Sequence, residues 1–197
     1  MSGRTRSARI LRETAETRVE VELELEGQGA ARVATGLGFL DHMLGTLAHH
    51  ARFDLMLKCR GDLEWDDHHT AEDCALALGQ AVDDALGDRA GIQRFGSAYA
   101  PLDEALTRTV VDLSGRPHHE VHLGLRREKL GELACENIGH VLRSLAIAGR
   151  MTLHVDTLRG ENDHHRAESA FKATALALRQ AVARTDRSDV PSTKGVL

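Results

Sequence analysis

The sequence predicts an α+β fold: two similar half-domains, each a small and mostly antiparallel sheet covered by helices, together forming one compact unit. Three observations lead to this fold class. Apolar residues alternate with a period of two in several short segments, they recur at helical spacing in others, and the order of these segments repeats in the second half of the 197-residue chain. We expect a single domain over residues 1–184, built from repeats at about 8–91 and 92–184, followed by a polar tail over 185–197.

The first half begins with a half-buried strand. Between Thr17 and Glu26, valine and leucine alternate strictly with glutamate, which places one face on the core and the other in water. A turn containing two glycines follows, and Ala30–Thr35 is predicted to return as the partner strand. The next elements are predicted from apolar spacing and a closing glycine: a helix at Leu37–His49, a strand at Phe53–Cys59 and a long helix at His68–Leu86, ended by Gly87.

The second half repeats this order of strands and helices. Its strands are predicted at Leu106–Leu113, Val121–Leu125 and Met151–Leu158, and its helices at Leu133–Ala148 and His164–Arg184. As in the first half, the last element is a long helix rich in alanine and leucine that follows a short apolar strand. The agreement in order indicates an internal duplication.

Two short motifs recur at nearly the same displacement, which supports the duplication. The hexapeptide DHHTAE at 67–72 returns 96 positions later as DHHRAE at 163–168, and DHML at 41–44 returns loosely 98 positions later as GHVL at 139–142. Asp67 and Asp163 are suitable helix N-cap residues. Each pair of histidines is therefore expected at the positive end of a helix, which disfavours imidazolium and keeps the rings able to coordinate a metal.

The repeated motifs supply a set of metal-binding side chains. His68 and Glu72 share a helix face, whereas His68 and His69 diverge by about 100° and are better placed to serve different ions. The two motifs together contain six histidines and two glutamates: His42, His68, His69, His140, His164, His165, Glu72 and Glu168. Divided evenly, they give two sites of three histidines and one glutamate, which suits Mn, Fe, Zn or Ni. The ligands of one ion come either from one chain or from neighbouring chains.

The composition excludes several classes of partner. Asp and Glu outnumber Lys and Arg by 30 to 25, and aromatic residues are 3% of the chain, so neither a nucleic-acid polyanion nor stacked bases are expected. No apolar run reaches the roughly 18 residues that span a membrane. Three widely spaced cysteines without a CxxC pattern, and an N-terminus without an apolar stretch, predict a cytoplasmic protein.

Seven short motifs are spread over essentially the whole length of the sequence: RETAET at 12–17, GFLDHML at 38–44, DHHTAED at 67–73, RFG at 94–96, SGRP at 114–117, ENDHHRAE at 161–168 and PSTKG at 191–195. In these motifs the sequence resembles the imidazoleglycerol-phosphate dehydratases of histidine biosynthesis. This resemblance implies a lyase with two Mn²⁺ ions per active site that removes water from imidazole glycerol phosphate to give imidazole acetol phosphate. It also implies a homo-oligomer of 24 subunits with metal sites at the subunit contacts.

The resemblance assigns roles to particular residues of this chain. Metal ligation falls on the eight histidines and glutamates named above. Substrate contacts fall on seven further positions: Glu16, His50, Arg94, Arg116, Lys172, Ser192 and Lys194. Among these, Glu16 is the candidate general acid/base, and the arginines and lysines are the candidate clamp for the phosphate. The tail over 185–197 is expected to contribute to the substrate site.

Two other functions are compatible with parts of this pattern. Paired DHH motifs also suit a metal-dependent phosphoesterase, but such hydrolases usually need an accompanying DxD, which this chain lacks. A non-catalytic metal-storage or scaffold assembly would bind metal without turnover and would have no need of Glu16. Release of inorganic phosphate would identify the first alternative, and metal binding without turnover would identify the second.

Overall fold

A computed structural model describes residues 6–195 and 197, and within them the two repeats have the same basic element order. The first contains β1 (Ser7–Glu13), β2 (Thr17–Glu24), β3 (Ala31–Ala34), α1 (Gly38–Ala51), β4 (Asp54–Gly61) and α2 (His68–Leu86). The second contains β5 (Phe95–Leu102), β6 (Ala105–Asp112), β7 (His118–His122), the hairpin strands β8 (Lys129–Leu130) and β9 (Leu133–Ala134), α3 (Cys135–Ala148), β10 (Thr152–Arg159) and α4 (Asp163–Ala181). Apart from the inserted hairpin, the elements correspond one to one.

Each repeat forms a four-stranded mixed sheet with the same strand order. The order is β1-β2-β4-β3 in the first sheet and β5-β6-β10-β7 in the second. A helix connects β3 to β4 and another connects β7 to β10, and these two pairs are parallel. The other pairs are antiparallel. The predicted α+β class and the internal duplication are confirmed.

The predicted pairing of Ala30–Thr35 with the first strand is wrong. The segment does contain a strand, β3, but this strand lies at the sheet edge beside β4. The partners of β2 are β1 and β4, so β2 is a central strand. Because the whole of α1 separates β3 from β4, the connection is a parallel crossover, whereas a hairpin would have placed β3 beside β2.

The sequence pattern does not predict β1 and β5, which lie at sheet edges. Strand β1 has no fully buried residue, and Leu11 is 58% exposed, so its alternation of apolar and polar residues is weak. Strand β5 contains Gly96 and Pro101, two residue types that are depleted in central strands but tolerated at edges. Edge strands that bury few of their residues leave little alternation of apolar and polar residues to detect.

Several predicted boundaries also differ from the structure by one to three residues. Strand β7 covers His118–His122 rather than Val121–Leu125, and α4 ends at Ala181 rather than at Arg184. Helix α3 starts at Cys135, because the two preceding residues belong to the β8–β9 hairpin. These shifts do not move any predicted site residue out of its element.

The helices join the two repeats. Helix α2 packs against β1 and β2, and α4 packs against β5 and β6. Each long helix also packs against the short helix of the other repeat, α2 against α3 and α4 against α1. One core cluster of the described residues includes side chains from both sheets and all four helices. Among the residues described, no helix combines the length and apolar character that a bilayer crossing requires.

Helices α2 and α3 approach closely at Gly79, and this contact leads to a stability prediction. A Cβ atom at Gly79 would lie 2.7 Å from the carbonyl oxygen of Leu145 and 2.8 Å from Ala148 Cβ. We expect Gly79→Ala to push the helices apart and lower the free energy of unfolding by about 1–3 kcal/mol, the usual effect of overpacking. Urea denaturation followed by circular dichroism measures this change.

Gly45 provides the matched control for this substitution. It also lies inside a helix, α1, but an ideal Cβ there meets no atom within 4 Å. Gly45→Ala is expected to leave stability unchanged or to raise it by up to about 1 kcal/mol, because alanine has the higher helix propensity. Equal destabilisation by the two substitutions would show that Gly79 is not a specific contact point.

Candidate functional site

Two groups of histidine and glutamate side chains form sites that could hold a metal ion. In the first group, His42 of α1 meets His164 and Glu168 of α4, and their ligand atoms all lie within 4.8 Å of one another. Glu168 Oε2 lies 3.1 Å from His42 Nε2 and 3.0 Å from His164 Nε2. Two imidazole nitrogens and one carboxylate oxygen therefore converge, as in the nitrogen- and oxygen-donor sites of first-row metals.

The second group has the same composition and comes from the equivalent positions. His68 and Glu72 of α2 meet His140 of α3, again with all ligand atoms within 4.8 Å of one another. Glu72 Oε1 lies 3.1 Å from His140 Nε2, and Glu72 Oε2 lies 4.0 Å from His68 Nε2. The rings of His68 and His140 stack with their centroids 4.8 Å apart.

Each group draws on both repeats of the chain. The long helix supplies a histidine and a glutamate four residues apart, which lie one above the other on a helix face. The short helix of the other repeat supplies the second histidine, because α1 packs on α4 and α2 packs on α3. In this way, six of the eight predicted ligands come together within one chain.

The two remaining predicted ligands, His69 and His165, lie outside both groups. Each follows the first histidine of its helix by one residue, and the helical rotation of about 100° turns it to another face. Asp62 Oδ2 lies 3.0 Å from His69 Nδ1, and Glu104 Oε2 lies 2.7 Å from His165 Nδ1. These hydrogen bonds raise the pKa of both rings. They also leave Nε2 as the ring nitrogen with a lone pair in the neutral form.

Asp67 is the N-cap residue of α2, as predicted, but its side chain forms no capping hydrogen bond, and the predicted N-cap role of Asp163 is wrong because Asn162 caps α4. The side chains that accept hydrogen bonds from the first helical amides are those of Asp66 and Asn162, each from the amide two residues later. Asp67 instead accepts from the amide of Ala134, and Asp163 accepts from the two amides of residues 126 and 127. Both aspartates therefore tie a neighbouring loop to the start of a metal-group helix.

Two carboxylates close to these histidines are held in their ionised form. Burial opposes the ionisation of Glu168, but hydrogen bonds from Lys172 and from the two histidines of its group lower its pKa to about 2. The backbone amide of Asn162 and the ring of His165 lower the pKa of Glu104 to about 2. An ionised carboxylate is the form that binds a cation or stabilises an imidazole N–H.

Comparison with known proteins identifies the family. A family model described as imidazoleglycerol-phosphate dehydratase matches residues 35–178. The chain belongs to the imidazoleglycerol-phosphate dehydratase family. The protein of that name from Eremothecium gossypii is 54% identical, and the match covers 98% of each chain. The one from Phytophthora nicotianae is 60% identical over 192 residues, which cover 98% of this chain and 42% of that longer protein.

A solved structure of imidazoleglycerol-phosphate dehydratase, from Pyrococcus furiosus, has the same fold. It superimposes with a TM-score of 0.83 and 35% sequence identity, and the match covers 95% of this chain and 100% of that chain. As a member of the family, this chain is a hydro-lyase that catalyses a step of histidine biosynthesis. The predicted family and activity are confirmed, and the two alternatives, a phosphoesterase and a non-catalytic assembly, are rejected.

In this dehydratase, Glu16 lies in the turn between β1 and β2, beside the second group's helix. Its Oε1 atom is 3.6 Å from His69 Nε2, and the side chain is half exposed. Asp73 of α2 fixes the position of this turn: it accepts a hydrogen bond from Arg12 Nε at 2.7 Å and another from the Thr17 hydroxyl. These contacts hold the RETAET segment against the DHHTAED segment.

Two of the predicted substrate contacts lie beside the first metal group of the dehydratase. Lys172 Nζ is 2.7 Å from Glu168 Oε1, and His50 lines a 410 Å³ cavity together with His42. Burial, followed by the charges of His49 and Lys172, lowers the pKa of His50. The position in α2 that corresponds to Lys172 holds leucine, at residue 76, so the lysine distinguishes the two groups.

The other predicted substrate contacts lie at or near the tail. Arg94 and Ser192 line one cavity of 630 Å³, and Arg94 donates a hydrogen bond of 2.7 Å to the carbonyl oxygen of Pro191. Arg116 and Lys194 are exposed. Among the residues described, no hydrogen bond or ion pair connects these four side chains to Glu16 or to the pair beside the first group. Within the described part of one chain, hydrogen bonds and ion pairs therefore do not join the predicted substrate residues of the dehydratase into a single cluster.

Sequence reasoning did not identify the side chains that support the dehydratase histidines. Besides Asp62 and Glu104, Asn137 Oδ1 lies 2.9 Å from His68 Nδ1, and the Phe39 ring meets the His164 ring with centroids 5.3 Å apart. Asn137 and Phe39 each stand three residues before the metal-group histidine of a short helix. In the sequence, an alignment of the two repeats around His42 and His140 is the signal that points to the positions of Phe39 and Asn137.

Proposed function

We infer that this dehydratase acts with two Mn²⁺ ions, bound through the two groups His42–His164–Glu168 and His68–Glu72–His140. The convergence of each group's donor atoms within 4.8 Å carries the proposal. The donors are imidazole nitrogens and carboxylate oxygens without thiolate, which suits manganese and other divalent first-row metals. When bound, such cations act as Lewis acids towards the imidazole ring of the substrate.

We assign the remaining ligand of each ion to His69 and His165, supplied by a neighbouring subunit. Both rings have Nδ1 engaged with a carboxylate and Nε2 available, and both lie outside the groups of their own chain. A ligand that cannot reach the ion of its own chain is expected at a subunit contact. This supports a homo-oligomer, and the family resemblance alone implies that it has 24 subunits.

The chemistry requires one group that moves protons. Dehydration of imidazole glycerol phosphate breaks the C–O bond beside the ring and a C–H bond on the next carbon, and the resulting enol becomes the ketone of imidazole acetol phosphate. The hydroxyl and one proton leave as water. We assign the proton transfer to the Glu16 carboxylate, because it is half exposed, lies beside a proposed metal ligand and is fixed through the Thr17–Asp73 contact.

We assign the phosphate of the substrate to Arg94, Arg116, Lys172, Ser192 and Lys194. Guanidinium and ammonium groups supply the charge-assisted hydrogen bonds that a phosphate needs. The hydrogen bond from Arg94 to the tail at Pro191 supports a role of the tail over 185–197 in the same site. The division of the chain into repeats at 8–91 and 92–184, and the cytoplasmic location, stay predictions.

The proposed function is tested by incubating the protein with imidazole glycerol phosphate after chelation and again after adding Mn²⁺. We expect imidazole acetol phosphate to form only when Mn²⁺ is present, without release of inorganic phosphate. Full turnover in the chelated protein would contradict the metal requirement. Phosphate release without loss of water would contradict the dehydration itself.

A further inference from the structure

The two repeats can be aligned at the turns that precede their central strands. Strand β2 starts at Thr17 and β6 starts at Ala105, so Glu16 in the first repeat corresponds to Glu104 in the second. Each of these glutamates lies beside the second histidine of its own repeat's motif, Glu16 beside His69 and Glu104 beside His165. The same residue type therefore stands beside the corresponding histidine in both repeats.

The contacts of the two glutamates differ. Glu104 is saturated: Oε1 accepts hydrogen bonds from the amides of Glu161 and Asn162 at 3.0 and 2.8 Å, and Oε2 lies 2.7 Å from His165 Nδ1. The carboxylate of Glu16 accepts no hydrogen bond from the residues that the structure describes. Its Oε1 atom lies 3.6 Å from the Nε2 atom of His69.

In the first repeat, Asp62 performs the task that Glu104 performs in the second. Asp62 Oδ2 lies 3.0 Å from His69 Nδ1, and Oδ1 is buried without a hydrogen-bond partner in the described part of the chain. Among the described residues, His69 is therefore the hydrogen-bond partner of the Asp62 side chain. The carboxylates of Asp62 and Glu104 both contact the ring nitrogen Nδ1 of their histidine and leave Nε2 available.

The second repeat has no residue equivalent to Asp62. Strands β4 and β10 correspond with a displacement of 98, so the position that matches Asp62 is Gly160. Gly160 has φ +149°, and a Cβ atom there would lie 2.9 Å from Arg166 Cγ and 3.0 Å from Ala105 Cβ. An aspartate does not fit, so the carboxylate that holds His165 has to come from another element, and the β5–β6 turn supplies it.

We propose that Glu104 and Asp62 are positioning residues, which hold His165 and His69 so that Nε2 of each ring is ready to bind metal. Because Asp62 holds His69 in the first repeat, Glu16, the glutamate of the β1–β2 turn, is free for proton transfer. The proposal rests on the metal ligation proposed above. A carboxylate that accepts from Nδ1–H fixes the tautomer and the ring orientation of a metal-binding histidine. The duplication therefore keeps two symmetric metal groups but has divided the roles of its two turn glutamates.

The test is a titration with Mn²⁺ alone, in which electron paramagnetic resonance measures the free ion. We expect Glu104→Gln and Asp62→Asn each to weaken Mn²⁺ binding by about 10–100-fold, the usual effect of removing an outer-shell partner. Glu16→Gln is expected to keep the wild-type affinity within about twofold. Glu13→Gln, an exposed residue of β1 paired with Arg18, is the matched surface control.

Two further readouts separate positioning from a structural role. The melting temperature of the metal-free variants reports stability, and ¹⁵N chemical shifts of the histidine rings report the tautomer. We expect the Nδ1–H form of His165 to lose its dominance in Glu104→Gln. Wild-type Mn²⁺ affinity in Glu104→Gln, with or without a lower melting temperature, would overturn the proposal. If Glu104→Gln does not fold, Asp62→Asn decides the same question in the first repeat.

Other outcomes are also decisive. Equal weakening of Mn²⁺ binding by Glu16→Gln and Glu104→Gln would show that the two glutamates have not diverged, and would overturn the division of roles. A wild-type protein that binds no Mn²⁺ would overturn both the proposed metal ligation and the positioning roles of Glu104 and Asp62. A wild-type protein that binds Mn²⁺ but does not dehydrate the substrate would contradict the proposed function alone, because the titration measures only metal binding.

Discussion

Glu16→Gln is expected to lower kcat by about 10²–10⁴-fold while the protein keeps its bound Mn²⁺. The glutamine has the shape of the native side chain but does not accept or release a proton, and a positioned general acid/base contributes a factor of this size. The Glu16 carboxylate lies 3.6 Å from a ligand candidate, His69, and outside both three-residue metal groups. Steady-state kinetics at saturating Mn²⁺, together with elemental analysis, measure the two effects separately.

The same kinetics on Glu13→Gln provide the control. Glu13 lies in the same hairpin, three residues earlier, and its exposed side chain pairs with Arg18 at 2.9 Å. We expect its kcat to stay within about twofold of the wild type, because exposed ion pairs contribute little. If Glu16→Gln turned over as fast as Glu13→Gln, the role assigned to Glu16 would have to be given up.

His68→Ala is expected to remove one of the two Mn²⁺ ions of each chain and to abolish most of the activity. The substitution deletes one of the three converging donors of the second group, whereas the first group keeps all three of its own. Loss of one of the two proposed Lewis acids would cost several kcal/mol of transition-state stabilisation, which corresponds to a fall in kcat of about 10²-fold or more. Elemental analysis and the dehydration assay give both numbers.

His122 offers a control histidine outside the metal groups. It is exposed on β7 and lies 3.4 Å from Glu120. We expect His122→Ala to keep both ions and the wild-type rate. Retention of two ions and full activity by His68→Ala would mean that the convergence of its group has no metal-binding role.

Much of the fold follows from the sequence because its pattern is strong where burial is strong. The spacing of Leu40, Met43, Leu44 and Leu47 predicts α1, and all four side chains are almost fully buried. The alternation after Thr17 predicts the central strand β2. The edge strands β1 and β5 bury little, so periodicity does not reveal them. The neighbour of β3 depends on the crossover through α1, which is a property of chain topology rather than of local pattern.

The candidate site divides in the same way. Repetition of a histidine and a glutamate at helical spacing identifies the groups around His68 and His164, because such spacing has a direct geometric meaning. The supporting carboxylates are not part of the helices that carry their histidines: Asp62 precedes His69 by seven residues, and Glu104 precedes His165 by 61. The two repeats also place this carboxylate at different, non-equivalent positions. Only the folded arrangement brings them to Nδ1. The same holds for the Asp67 and Asp163 carboxylates, which bind loop amides instead of capping their helices.

Diffraction from crystals grown with Mn²⁺, recorded at the manganese absorption edge, tests the paired metal groups most directly. We predict two anomalous peaks per chain, one among His42, His164 and Glu168 and one among His68, Glu72 and His140, with a histidine of a neighbouring chain completing each. An absence of anomalous density at both groups, under conditions in which the enzyme is active, would contradict the account.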